Sequence, residues 1–190
     1  MLQKLFSRFG RTKINSTKII KTKRLLLEPF SDKYLTQEVV DWLNDPEVVR
    51  FSEQRHRRHS LDSCREYIDS FKGTPNHIWA ISVVNKNIGH IGNINAYVDT
   101  ANNIADIGIL IGKKQVWSKG YGKEALCAVC DYLMEKLGIR KITCGTLATN
   151  LSMLKVMKKA GMIDDGRRIR HYQWEGHEVD MIHQAMFKKE

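Results

Sequence analysis

Gly120-Tyr-Gly122, flanked by Lys119 and Lys123 and followed by a run of helix formers, is the segment of this sequence best suited to chemistry. Two glycines let the backbone turn tightly and present consecutive N–H groups at a helix start. Orphan amides and the positive end of the helix dipole there make a site for a pyrophosphate, and the two lysines add charge. An ordinary turn into a helix explains the same spacing about as well. A dinucleotide fingerprint would need a third glycine near position 125, where Ala125 stands, and an early parallel βαβ unit. A Walker loop would need Gly-Lys-Ser/Thr, whereas Gly122 is followed by Lys123-Glu124. Neither standard nucleotide fold fits.

Other reactive residue types are less telling. Cys127-Ala-Val-Cys130 matches C-x-x-C but falls in the middle of a helical pattern. A redox pair needs its thiolate at a helix N-terminus, and zinc would need a second ligand pair, so these read as buried structural cysteines. With Cys64 and Cys144 they are too few and too scattered for a disulfide scaffold, which implies a reducing, cytoplasmic compartment. The seven histidines show no metal spacing, and no metal is expected. His56-Arg-Arg-His59 reads either as a solvated basic turn or as a site for a substrate phosphate or carboxylate. Arg167, Arg168 and Arg170, near Tyr172 and Trp174, allow the same two readings.

The elements that must position these residues follow from periodicity and turn chemistry. Ile19–Phe30 reads as a strand, and Ser31 or Asp32 caps a helix running to about Leu43. Ser60 opens a second helix through Phe71, and His77–Val84, Asn87–Val98 and Asn103–Ile111 form an antiparallel meander. After the glycine loop, Leu126, Val129, Cys130, Leu133 and Leu137 share one face of a helix stopped by Gly138. Lys141–Leu147 is a strand, Asn150 opens a helix ending at Gly161, and Arg167–Trp174 with Glu178–Phe187 closes the chain as a hairpin turned at Glu175-Gly176. The order is that of one mixed α+β domain.

Charge separates an N-terminal arm from this domain. Eight of the 31 basic residues fall within residues 1–24, where no acidic residue occurs, so the remainder carries 23 basic against 21 acidic side chains. A nearly neutral body argues against a nucleic-acid partner. Leu2, Leu5, Phe6 and Phe9 recur at helical spacing among Lys4, Arg8 and Arg11. Such an arm can lie on an anionic membrane surface, and it also resembles a mitochondrial presequence. The simpler reading is a leader, residues 1–18, whose apolar stripe packs on the domain formed by 19–190. The apolar runs are only a few residues long, far short of the roughly twenty a spanning helix needs.

Trp117-Ser-Lys-Gly-Tyr-Gly122 resembles the R/Q-x-x-G-x-G/A pyrophosphate loop of the GNAT acetyltransferase superfamily, with Trp117 in place of the leading Arg or Gln. That variant, with Arg24-Leu-Leu-Leu-Glu-Pro29, Ala105-Asp-Ile-Gly108 and Asn150 before a helix ending Lys159-Ala-Gly161, is similar to the RimJ/RimL branch. The resemblance covers about residues 20–190 and implies a mostly antiparallel twisted sheet with flanking helices. It implies acetyl-CoA as donor and an amine as acceptor: a small molecule such as a nucleotide-linked amino sugar, or a protein N-terminus. A noncatalytic acetyl-CoA-binding module is the competing class. The resemblance further implies that the pantetheine arm lies along Asp106–Ile111, with Leu110 and Ile111 as backbone partners and Gly108 allowing close approach. The pyrophosphate would sit on amides of Ser118, Lys119, Gly120, Tyr121, Gly122 and Lys123. Asn150 would contact the coenzyme or cap its helix, and Asp106 would be the general base. The usual acid position is Met157, leaving Tyr121 and Tyr172 as substitutes and the acid unassigned.

Overall fold

A computed structural model describes residues 17–85 and 87–189. Their strands form one eight-stranded sheet: β1 (Ile20–Lys21), β2 (Leu25–Pro29), β3 (His77–Val83), β4 (Gly89–Asp99), β5 (Ile104–Ile111), β6 (Lys141–Leu147), β7 (Ile163–Trp174) and β8 (His177–Phe187). The spatial order is β1-β2-β3-β4-β5-β6-β8-β7, and every neighbouring pair is antiparallel except β5 and β6. Helices α3 (Tyr121–Lys136) and α4 (Leu151–Lys159) cover one face of the sheet. Leu126, Val129, Cys130 and Leu133 are fully buried there against Leu25, Leu27, Trp79, Ile94 and Ile107, so the apolar stripe expected of α3 does face the core. Helices α1 (Gln37–Asn44) and α2 (Leu61–Asp69) lie on the opposite face. Trp42 of α1 packs so closely on Gly112 that the glycine has no room for a Cβ, and Tyr67 of α2 hydrogen-bonds Tyr97 of β4.

Local chemistry explains most of the boundaries. Ser60 caps α2 through the Ser63 N–H, and Ser63 returns a bond to the Ser60 N–H. Glu175 and Gly176 both have positive φ, 49° and 79°, as a two-residue turn between right-twisted strands requires. Three expectations need correction. The first strand is two strands, because the Thr22 N–H donates to the Leu25 carbonyl and the Leu25 N–H to the Thr22 hydroxyl across a turn at Lys23-Arg24. The helix expected from Ser31 is a 3-10 turn, Asp32–Tyr34, and α1 begins only after Thr36. The turn places the Tyr34 hydroxyl on Glu28 and its ring on His90. Strand β7 starts four residues before Arg167, because Asp164 and Asp165 are held by Gln184 and Lys141.

The proposed arm falls almost wholly outside the described residues, and Leu2, Leu5, Phe6 and Phe9 lie there. Its last two residues are described: the Thr17 hydroxyl bonds the His77 ring, and the Lys18 carbonyl accepts from the Trp79 indole. Among the described residues no helix is long and apolar enough to cross a membrane, and no metal-ligating cluster occurs.

Candidate active site

Strand β5 pairs with β4 along its whole length, and β6 pairs with β8 along its whole length. The two sheet halves meet only where Ile104–Asp106 lie beside Lys141–Thr143. Beyond that point the twist carries them apart, and among the described residues Ile107–Ile111 have no ladder partner on the β6 side. A V-shaped gap about 17 Å long along β5 results, taking roughly 3.3 Å per residue from Asp106 to Ile111.

The phase of the β4–β5 ladder determines which backbone groups face the gap. The Gly112 N–H bonds the Ile91 carbonyl at 2.9 Å, and the register is continuous from Gly92–Ile111 to Asp99–Ile104. Antiparallel alternation then turns the backbone of Asp106, Gly108 and Leu110 toward β4 and that of Ile107, Ile109 and Ile111 toward the gap. The Leu110 backbone is therefore committed to β4, against the expectation that it partners the pantetheine arm, and the backbone of Ile109 faces the gap instead. Gly108 is neither bulged nor open, since a Cβ there would stand 2.8 Å from the Asn95 side-chain oxygen.

At the wide end of the gap the loop turns into α3. Gly120 has φ of 81° and Ser118 of 62°, and the first intrahelical bond runs from the Glu124 N–H to the Gly120 carbonyl. The amides of Tyr121, Gly122 and Lys123 therefore precede the hydrogen-bonded helix and point outward along its axis. Gly122 faces the end of β5, its Cβ position 3.7 Å from Ile111 Cγ1. Lys119 and Lys123 are exposed, without ion pairs among the described residues. Trp117, the departure from the leading Arg or Gln, ties the loop to the strand end, because its indole N–H donates to the Ile111 carbonyl at 2.8 Å.

Arg24 clamps this loop, a role that sequence reasoning missed. Its Nε bonds Glu124 at 2.6 Å, its Nη1 bonds the Lys119 carbonyl at 2.9 Å, and its guanidinium stacks over Tyr121. Glu124 also accepts from the Thr22 hydroxyl and the Arg24 N–H. Burial pushes the Glu124 carboxyl up, but Thr22 and Arg24 outweigh it and hold the group below the usual carboxylate range. A carboxyl of lowered pKa contributes stability above its unfolded value and loses it as pH falls through the folded one. Glu124→Gln is thus expected to lower stability at pH 7 by about 2 kcal/mol, or ~4–8 °C in Tm. The deficit should start to shrink as pH falls through the ordinary glutamate value, about 4.3, and vanish only below the lower folded value. Thermal melts of both proteins across pH check this, and a deficit unchanged in acid would refute the clamp.

At the narrow end Asp106 sits beside Thr143, whose hydroxyl donates to its carboxylate at 2.6 Å. Solvent reaches the residue from the gap, yet enough protein surrounds the carboxyl that burial raises its pKa, against the lowering effects of Thr143 and His183. His183 of β8 is a second residue that sequence reasoning missed. Register sets it opposite Gly145 of β6, and its ring would lie 3.1 Å from a Cβ there. Its Nε2 is buried with no hydrogen-bond partner among the described residues. No spacing could have revealed it, because the β6–β8 pairing alone brings it to Asp106.

Asn150 ends the other arm of the gap. Its side-chain oxygen caps α4 through the Met153 N–H, and its amide donates to Thr146 at 2.9 Å. Met157 is fully buried. Tyr121 lies under Arg24, and Tyr172 lies edge-on to His171. Cys127 and Cys130 are free, and burial raises both thiols, opposite to what a redox pair needs. The arginines of the closing hairpin do not gather around Trp174. Arg167 and Arg170 pair with Asp180 and Glu178. Trp174 instead stacks on Phe51 and donates to the Arg50 carbonyl.

A split sheet with a glycine-turned helix N-terminus at its mouth agrees with comparison to known proteins. Residues 24–163 match the acetyltransferase (GNAT) domain family, and the chain belongs to it. It is an acyltransferase enzyme of the N-acetyltransferase kind. The N-acetyltransferase 9-like protein of Nematostella vectensis is 23% identical over 158 residues, covering 78% of this chain and 79% of that protein. Among solved structures, a GNAT acetyltransferase from Bacillus anthracis has a TM-score of 0.77 at 22% identity, over 90% of this chain and 99% of that one. Spermidine N-acetyltransferase of Vibrio cholerae, in complex with CoA and spermine, gives 0.78 at 15% identity, over 88% and 97%. RimL, the ribosomal L7/L12 alpha-N-protein acetyltransferase, also in complex with coenzyme A, gives 0.78 at 15%, over 89% and 97%.

Proposed function

We propose that this enzyme transfers the acetyl group of acetyl-CoA to the amine of a small molecule, a nucleotide-linked amino sugar being the leading candidate, and that it belongs to the RimJ/RimL-like branch. The observation that carries the coenzyme assignment is the gap itself: an unpaired strand edge leading to a cradle of helix-terminal amides. Amides of Ser118 and of Gly120 to Lys123 hold the pyrophosphate, with the Lys119 and Lys123 side chains beside them; the Lys119 N–H, expected to join them, is committed to the Val116 carbonyl. The outward-facing Ile109 backbone and the Ile111 N–H bond the pantetheine arm as a neighbouring strand would, the Ile111 carbonyl being taken by Trp117. Asn150, fixed by its two hydrogen bonds, borders the arm from the β6 side. The bound coenzyme supplies a thioester carbon open to attack by an amine.

The chain's residues do the rest. An alkylammonium has a pKa near 10 and must lose a proton before it can attack. Asp106, held by Thr143, takes that proton directly or through a water, and its raised pKa makes it a better base than an ordinary aspartate. The unpartnered Nε2 of His183 is available to hold the water or the amine in place. Backbone N–H groups of β5 turned toward the gap stabilise the oxyanion. A thiolate leaves with an ordinary pKa of about 8.5, so little acid assistance is required.

The test is acetyl-CoA consumption measured in parallel against nucleotide-linked amino sugars, polyamines and ribosomal-protein N-terminal peptides, with coenzyme affinity read by calorimetry. Turnover of the sugars is expected. Selective turnover of peptides would overturn the acceptor, and binding without turnover of any amine would favour a noncatalytic module.

A further inference from the structure

Resting on that reading, we infer that the cleft between the α1–α2 connection and the tip of the β7–β8 hairpin binds the phosphate groups of the acceptor. The cleft has a volume of about 430 Å³, within the range of small-molecule sites. It lies over the wide end of the gap on the face opposite α3. One wall follows α1, which rests on the end of β5 through Trp42 and Gly112, and the other is the hairpin whose β8 strand flanks β6.

Its basic residues divide into scaffold and donors. Arg50 pairs with Glu175 through two bonds of 2.9 and 3.1 Å and lies over the Trp174 ring. Arg55 is bonded to Glu53 and to the Ser52 and Gln173 carbonyls, with its side chain only 15% exposed. These two join the connection to the hairpin and hold the walls apart. Arg57 and Arg58 also line the cleft and are exposed, and their guanidinium groups make no ion pair or hydrogen bond among the described residues. His56 lies beside them, 3.8 Å from Glu53. Leu43, Pro46 and Val49 supply apolar lining below.

Two uncommitted guanidiniums above an apolar floor suit a ligand with a doubly charged head and a partly apolar body, as a nucleoside diphosphate has. The same charges repel a polyamine. A peptide N-terminus would draw on main-chain partners along an open strand or groove, whereas this cleft offers side chains.

The test titrates uridine diphosphate into protein saturated with coenzyme A, so that the amide cradle is already filled, and compares wild type with the Arg57→Gln/Arg58→Gln variant. Wild type is expected to bind, and the double variant to bind at least about tenfold more weakly with unchanged affinity for coenzyme A and unchanged melting. Absence of binding to the wild type, or equal binding to both proteins, would overturn the inference. So would an acidic N-terminal peptide that binds more tightly than uridine diphosphate with the same arginine dependence. Should coenzyme A fail to bind the wild type, the acetyl-CoA reading falls, and the arginine dependence of uridine diphosphate binding still decides the cleft.

Discussion

Asp106→Asn is expected to lower kcat roughly 100-fold or more while leaving coenzyme affinity within about twofold, since proton transfer by a positioned base contributes on that scale. Asparagine keeps the size of the side chain and can still pair with Thr143, but it cannot take a proton. In the wild type, activity should fall as pH drops through the Asp106 pKa, which burial places above the ordinary aspartate value. The variant should lose that acidic limb. Stability gives an independent reading. A carboxyl whose folded pKa is raised stabilises the fold fully below its unfolded value and loses that contribution as pH rises through the folded one. At neutral pH the ionised Asp106 is therefore a cost, and Asp106→Asn should melt at the same temperature or higher. Steady-state kinetics across pH with parallel melts check both. Unchanged turnover at neutral pH would reduce Asp106 to a structural residue, and a lower melting temperature would point to a fold effect.

Gly120→Glu should weaken acetyl-CoA binding by at least about 100-fold, or ~2.7 kcal/mol. The backbone there is left-handed, with φ of 81°, so any side chain adds strain of roughly 1–2 kcal/mol. The protein itself leaves space, since the nearest atom to a Cβ is Arg24 Nη2 at 3.5 Å. Strain alone should thus cost a few degrees of melting temperature, the same in Gly120→Ala as in Gly120→Glu. What separates the two is the carboxylate, which enters the amide cradle, repels pyrophosphate and competes for Arg24. Calorimetry on both variants isolates this charge effect. Near-wild-type coenzyme binding by Gly120→Glu would remove the loop from the binding site.

Much of the architecture is local and so legible in the chain itself. Alternation of Ile142, Cys144 and Thr146 with Lys141, Thr143 and Gly145 marks β6 from end to end. The side chains of Ser60 and Asn150 cap the helices they precede, and Glu175-Gly176 makes its own turn. Each of these depends on residues within a few positions of one another. The glycine loop belongs to the same group, because a positive φ at Gly120 and a helix start just after it need nothing from elsewhere.

Distant contacts decided the rest. The break between β1 and β2 is pinned by Glu124, a hundred residues from Arg24, which no local pattern encodes. Ile109 rather than Leu110 faces the gap because the phase of a ladder is set by which residue of β4 it meets. His183 approaches Asp106 only through the pairing of β8 with β6. Trp174 left the arginines nearest to it in the chain for Arg50 and Phe51, since the hairpin is long enough to reach across to the α1–α2 connection. Composition and spacing determined α2 to α4, the meander, β6 and the loop that opens α3. The gap, the meeting of Asp106 with His183 at its narrow end and the cleft at the hairpin tip exist only once the two halves of the sheet are assembled, because strand register and twist are properties of the assembled sheet, not of any one segment.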